Sequence, residues 1–206
     1  KEHTIVCNAL EDVSEIKETE ITATATFNNM YGSNMLLQRD KTIKLDGTAE
    51  NAESVTVTLT KDGDDDYKNS QTVYVTEGKW STCLDAVTLD SADEYQNSVY
   101  TLTVTPVSGH EKTECKTSVL TNIKFGDLYL CGGQSNMWYH LNRYIGIDYN
   151  EPDINNYSNE NIRIMQEPTT DDGASKDIVF IRKSGQNKLA IDADWQQLTP
   201  DYAKSN

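Results

Sequence analysis

The segment Gly132-Gly133-Gln134-Ser135-Asn136 places one hydroxyl among glycines and amides, directly after the apolar run Leu128-Tyr129-Leu130-Cys131. A serine so placed is suited to acyl transfer, provided that a base takes its proton and N–H groups face the developing oxyanion. Gly132 and Gly133 permit a sharp turn and a close backbone approach that side chains would obstruct. The Ser135 N–H is itself a candidate oxyanion donor, and losing one such donor typically costs roughly 3 kcal/mol of transition-state stabilisation. The same pattern also fits a helix N-cap, so by itself it leaves both roles open.

Such a serine needs a rigid strand behind it and a helix in front. Leu128 to Cys131 reads as a short strand covered on both faces of an α/β sheet. Beyond the turn, Met137, Leu141 and Tyr144 follow at spacings of four and three, the pattern of one helix face over 136–144. Ser135 then falls at the carboxyl end of a strand and the start of a helix, where open α/β sheets bind ligands and free N–H groups attract anions.

The run from Phe125 to Met137, with its Gly-Gln-Ser-Asn-Met core at 133–137, resembles the first block of the sialate O-acetylesterase family of SGNH hydrolases. Asn34-Met35-Leu36-Leu37-Gln38-Arg39 is similar to that family's early Asn-Met-x-Leu-Gln segment, and Gly78-Lys79-Trp80 to a piece of its β-domain. Trp195 to Pro200 resembles the stretch leading into its next catalytic-domain helix, so a collinear likeness covers about residues 21–206. The chain departs from the family pattern at Gly132, where serine is usual, and at Trp138-Tyr139-His140, which replaces a Glu or Gln, an apolar residue and Pro.

The resemblance implies that Ser135 attacks an acetyl carbonyl of a carbohydrate, an acetylated sialic acid above all, without metal or cofactor. Gly133, Gln134 and Asn136 would support the turn and the helix start. It also implies a base from a late Asp-x-x-His motif, and the histidines here, His3, His110 and His140, stand in no such context. His140 lies five residues past Ser135, about 140° around a helix, so the two side chains diverge. The expectation is therefore a chain inactive alone, completed by a C-terminal continuation or by a companion chain of the same enzyme. The nearest alternatives are an acetylxylan or other polysaccharide esterase, and a non-catalytic β-sandwich binding protein carrying a vestigial hydrolase segment.

The chain has 206 residues, 36% of them hydrophobic, with a mean hydropathy of -0.64, which is thin for one large core. After an N-terminal tail (1–20), Thr, Val and Tyr alternate with period two in Ile21-Thr22-Ala23-Thr24-Ala25-Thr26-Phe27, Val55-Thr56-Val57-Thr58-Leu59, Val73-Tyr74-Val75 and Tyr100-Thr101-Leu102-Thr103-Val104. This predicts an antiparallel β-sandwich over 21–122 with threonines outward and no convincing helix. Residues 123–206 read as the first part of a flavodoxin-like α/β hydrolase domain, with a polar loop over 144–161 and further strands at Ile162–Met165 and Ile178–Ile181.

Eighteen basic against 33 acidic residues give a net charge of -15, which disfavours nucleic acid and anionic membranes as partners. Arg143 is the nearest basic residue in sequence able to meet an anionic sugar, and a solvated helix position or a salt bridge explains it better. Asp62-Gly63-Asp64-Asp65-Asp66 lacks the Gly and Glu positions of an EF-hand, with Tyr67 and Val73 there instead, and reads as a hairpin turn. Cys7, Cys83, Cys115 and Cys131 have no zinc or redox spacing. Cys83 and Cys115 are candidates to bridge neighbouring strands, Cys131 for a buried thiol and Cys7 for pairing outside the chain. A disulfide, the sequon Asn156-Tyr157-Ser158 and the family likeness would together suit a secreted or lysosomal setting. No apolar run reaches membrane-spanning length.

Overall fold

The computed structural model describes residues 21–110, 113–131, 158–165 and 194–205. Period-two alternation builds nearly all of it. In β1 (Ile21–Phe27), Ala23 and Ala25 point inward while Thr22 and Thr24 lie partly exposed between them. In β4 (Ser54–Lys61), Val55, Val57 and Leu59 are fully buried. β7 (Tyr100–Val107) repeats the pattern with Tyr100, Leu102 and Val104. Strands with one apolar face must cover it, and two sheets packed face to face do so.

One sheet has the order β6-β3-β1-β8, adding β3 (Ile43–Glu50), β6 (Lys79–Leu84) and β8 (Thr113–Lys116). The other runs β2-β9-β7-β4-β5, with β2 (Leu36–Gln38), β5 (Asp64–Tyr74) and β9 (Ser118–Gly126). Their inner faces share one core that includes Leu45, Val57, Leu59, Trp80, Leu102, Ile123 and Phe125. Threonines pair hydroxyl to hydroxyl across strands, Thr26 with Thr48 at 2.9 Å and Thr56 with Thr72 at 2.9 Å, which stabilises exposed positions of the ladders.

The sandwich is mixed where the sequence predicted an antiparallel one. β8 pairs with β1 in parallel, and β2 with β9 in parallel. Consecutive strands joined by tight turns must run antiparallel, but these two pairs join strands far apart in sequence, and no turn dictates their direction.

The Gly78-Lys79-Trp80 block has a structural explanation. Glu77 and Gly78 both have positive φ, and Thr76 and Lys79 exchange backbone bonds of 2.9 and 3.0 Å across them, closing a two-residue hairpin before β6. Trp80 is then buried, its Nε1 donating to the Thr48 carbonyl at 3.2 Å and its ring edge-to-face with Phe27 at 5.7 Å. Gly47 faces both rings, because its Cα pairs with Phe27 on one side and Trp80 on the other.

A helix, α1 (Ala92–Asn97), occurs where none was expected. Ser91 caps it, its hydroxyl accepting from the Glu94 N–H at 3.2 Å, and the Glu94 carboxylate accepts from the Asp90 N–H at 2.8 Å. Ser-x-x-Glu is a capping-box signature, legible at 91–94 but easily lost between strands because the helix has no apolar stripe. The acidic cluster forms the β4–β5 hairpin turn, with Gly63 at φ 78.

The predicted Cys83–Cys115 bridge does not form. Both thiols are free and exposed, Cys83 on edge strand β6 and Cys115 on edge strand β8 at the opposite side of the same sheet. Two strands lie between them, about 14 Å at normal strand spacing, far beyond disulfide reach.

Candidate functional site

Ser135, Gly133, Gln134 and Asn136 lie outside the described residues, as do His3, His140, Arg143, Cys7, Asn156 and the 136–144 and 178–181 elements. The structure describes the root of the serine segment, residues 125–131. Phe125 is locked into the core, edge-to-face with Tyr100 at 5.0 Å. Gly126 pairs with Gln38, so the two sequence blocks Asn34–Arg39 and Phe125–Met137 meet side by side through β2 and β9.

The ladder continues for two residues past β9 by a different set of bonds. The Arg39 N–H donates to the Gly126 carbonyl at 3.0 Å. Arg39 Nε donates to Asp127 Oδ1 at 2.9 Å, and the Leu128 N–H donates to Gln38 Oε1 at 3.0 Å. Arg39 Nη1 donates to Tyr95 Oη at 2.7 Å and to Asp40 Oδ2 at 3.0 Å, and its guanidinium lies 5.0 Å from the Tyr95 ring centroid. Its pKa is pushed still higher by the bond to Asp127 first and by Tyr95 next, so the clamp is permanently charged. Tyr95 comes from α1, which gives the unforeseen helix a role at this root.

Beyond the clamp the expected buried strand is absent. Leu128, Tyr129 and Leu130 are 49%, 79% and 99% exposed, and Cys131 is exposed rather than a buried thiol. The cause is geometric. Asp40, with φ 57, turns its chain away and donates its N–H to the Val87 carbonyl at 3.0 Å, so no neighbouring strand continues past Leu128 among the described residues.

A second polar cluster joins β10 (Asn159–Met165) and β11 (Trp195–Leu198) to the sandwich. The strand expected at Ile162–Met165 forms the later part of β10, and the residue it buries is a charged one. Ile162 is exposed, while Arg163 is 8% exposed and packs inward. Its Nη2 donates to Asn122 Oδ1 at 3.0 Å and its Nη1 to the Asn34 carbonyl at 3.4 Å. With its amide oxygen turned inward, Gln197 accepts from both nitrogens, at 3.1 and 3.2 Å. Lys124, 4% exposed, donates to the Gln96 carbonyl and to Asn161 Oδ1. Its pKa is lowered by burial first and then by Arg163, and burial lowers that of Arg163 too. Arg163 Nε has no hydrogen-bond partner, and no carboxylate makes a contact ion pair with either cation among the described residues, although the charge of Glu160 partly offsets the burial of both. Asn34 and Asn122 both adopt positive φ, which asparagine tolerates. After β11, Thr199 accepts from the Tyr202 N–H at 3.1 Å and Pro200 opens α2 (Pro200–Ser205), a sound helix start.

No family model matches this chain, and no curated protein matches it. Among solved structures it is similar to a carbohydrate acetylesterase from Xanthomonas citri, with a TM-score of 0.56 and 20% sequence identity. The match covers 87% of this chain and 34% of that one, so the chain spans about a third of that protein's length. At this identity the likeness is one of fold.

His110 is the one histidine among the described residues, and it does not approach the serine root. It follows β7, whose far end pairs with the beginning of β9, whereas Asp127 follows the end of β9. His110 instead lines an open cleft of about 380 Å³ with Glu53 and Ser108. A second open groove, about 1060 Å³, runs beside Gln71, Tyr74, Lys79 and Trp80. Neither is lined by a residue of 125–131. The described residues bring together no three His, Cys, Asp or Glu able to hold a metal ion, and none of their helices is long and apolar enough to cross a membrane. Arg39, Tyr95 and Asp127 were not singled out from sequence; Arg39 and Asp127 stood inside the two family-like blocks, and only pairing showed that those blocks touch.

Proposed function

We propose that this chain is part of a serine esterase that removes O-acetyl groups from carbohydrates. One observation carries the reading. The Gly-Gln-Ser-Asn block lies seven residues beyond the end of β9 in sequence, and that strand end is bonded to the other family-like block, on a fold similar to that of a carbohydrate acetylesterase. Coincidence of two motifs in space is harder to reach by chance than either motif alone.

In this reading Ser135 Oγ attacks the acetyl carbonyl carbon while a histidine accepts its proton. The carbonyl π electrons move to oxygen, where N–H groups hold the oxyanion. The oxyanion then collapses, the C–O bond to the sugar breaks, and the histidine returns its proton to the leaving alcohol. Water repeats the sequence on the acetyl-serine and releases acetate. The histidine comes from a continuation or companion chain carrying Asp-x-x-His, in a hydrolase domain for which 123–206 is the first part and 21–122 the preceding sandwich. Acetylated sialic acid is the favoured substrate, and a secreted or lysosomal location goes with it.

Incubating the intact native protein with a serine-directed phosphonate, then mapping the adduct, tests the nucleophile. Label on Ser135 and loss of acetate release in Ser135→Ala are expected. Acetate release that persists in Ser135→Ala would sink the reading. Comparing an acetylated sialoside with an acetylated xylan decides the substrate class, and faster xylan turnover would replace sialic acid.

A further inference from the structure

We propose that the outer face of the sheet formed by β4, β5 and β7, with Tyr74 at one end, binds a neutral carbohydrate chain. The inference does not depend on Ser135 as nucleophile.

Alternation in β4 buries Val55, Val57 and Leu59 and so turns Ser54, Thr56, Thr58 and Thr60 outward. The register sets Thr105, Thr103 and Thr101 of β7 against Thr56, Thr58 and Thr60 in turn. On the other side it sets Thr72 and Ser70 of β5 against Thr56 and Thr58. Hydroxyls therefore stand about 4.8 Å apart across the strands and about 6.8 Å apart along them. Cross-strand bonds fix the direction of several, Thr58 with Ser70 at 2.8 Å and Thr105 with Thr117 at 3.0 Å. A hydroxyl bonded once keeps acceptor capacity for a ligand. At one end Ser54 pairs with both Tyr74 and Val107, and Val119 lies beside Thr103. Tyr74 is 85% exposed, Val119 49% and Val107 42%. A ring left so open presents an apolar plane with a polar tip, and apolar groups rimmed by polar ones mark binding surfaces.

Charge decides the class of partner. Outward positions of the other sheet carry Lys44, Asp46 and Glu50 on β3 and Lys79 on β6. On the β4–β5–β7 face the charges gather at the far end, where Lys68 stands opposite Thr60 and Asp62 accepts from Thr101. The paired positions from Thr58 back to Ser54 carry none. In a chain of which 25% is charged, one sheet is thus solvated by ions and the other by hydroxyls. A face without ions gives no electrostatic grip on a polyanion or a polycation. It suits a ligand that sets hydroxyls beside apolar C–H surface, as a neutral carbohydrate does. Threonine meets both with its hydroxyl and methyl, and the Tyr74 ring can stack on the C–H face of a sugar. Ser54 to Thr60 extends about 20 Å, a length that fits an oligosaccharide better than a single sugar.

Affinity electrophoresis of the intact protein, in gels holding deacetylated xylan, hydroxyethyl cellulose or polygalacturonate, tests the proposal. Retardation by at least one of the two neutral polymers is expected, unaltered by about 0.5 M salt, with none by polygalacturonate. Tyr74→Ala should weaken that binding about tenfold, and Tyr74→Phe, which keeps the ring, should retain most of it. Thr24→Ala, on the other sheet, should bind as the unmodified protein does. Because Tyr74 is exposed, Tm of Tyr74→Ala should stay within about 2 °C, so lost binding does not reflect lost folding. No retardation by either neutral polymer would overturn the proposal, as would unchanged binding in Tyr74→Ala. Retardation that polygalacturonate shares and salt abolishes would do the same, since it marks an ionic surface. The polymers carry no acetyl ester, so the result stands whether or not Ser135 is a nucleophile.

Discussion

Gly47→Ala is the substitution for which the structure makes the sharpest demand. A Cβ on Gly47 would collide with the Thr26 carbonyl oxygen and lie 2.6 Å from Trp80 Cζ2 and 2.8 Å from Cε2. Real carbon contacts need about 3.5 Å or more, so something must move. Thr26 offers backbone in the β1–β3 ladder, where yielding breaks strand bonds. Trp80 is held by its Nε1 bond to Thr48 and by Phe27, so its ring cannot swing aside without losing both. Overpacking costs about 1–3 kcal/mol when side chains can adjust, and a backbone obstacle puts this site at the upper end, about 3 kcal/mol. For a domain of this size each kcal/mol shifts Tm by about 4 °C, so a fall of about 12 °C is expected. Thermal unfolding followed by tryptophan fluorescence reads it directly. A Gly47→Ala protein within about 0.5 kcal/mol of the unmodified one would refute the reasoning, because surface substitutions cost no more than that.

Stability should fall steeply in alkali. Tyr31 and Tyr100 are both raised by burial first, Tyr100 to about 12, so the folded state keeps protons that the unfolded state releases near pH 10. Their contribution is complete below pH 10 and is lost as pH climbs through the folded values, while Lys124, lowered from 10.5, works in the opposite sense up to that pH. Denaturant midpoints should drop above pH 10, and Tyr100→Phe should make the drop between pH 10 and about 12 shallower; an unaltered slope would refute the assignment. A thiol reagent should modify Cys83, Cys115 and Cys131 in the folded protein without prior reduction, and a mass showing Cys83 joined to Cys115 would contradict the sheet order.

The strands were largely legible because alternation along one strand is a local property. Ile21–Phe27 was read to the residue, and Val55–Leu59 and Tyr100–Val104 fall within β4 and β7. The threonine face, the hairpin at Gly63 and the absence of membrane-length apolar runs belong to the same class of inference. Local sequence also set the expectation of acyl transfer at a serine that follows two glycines, and the net charge of -15 set the expectation that polyanions are not partners.

Tertiary structure decided what depends on which strands become neighbours. The parallel pairings, the separation of Cys83 from Cys115 by two strands, and the inward turn of Arg163 beside an exposed Ile162 all follow from partners distant in sequence. A strand's pattern tells which residues alternate, but the surface it lands on decides which face is buried, and here that surface was polar, made by Asn34, Asn122 and Lys124. Ser135 stands out in the sequence because two glycines precede it, whereas Gln38, Arg39 and Tyr95 come together only when β2 and α1 are brought against the end of β9.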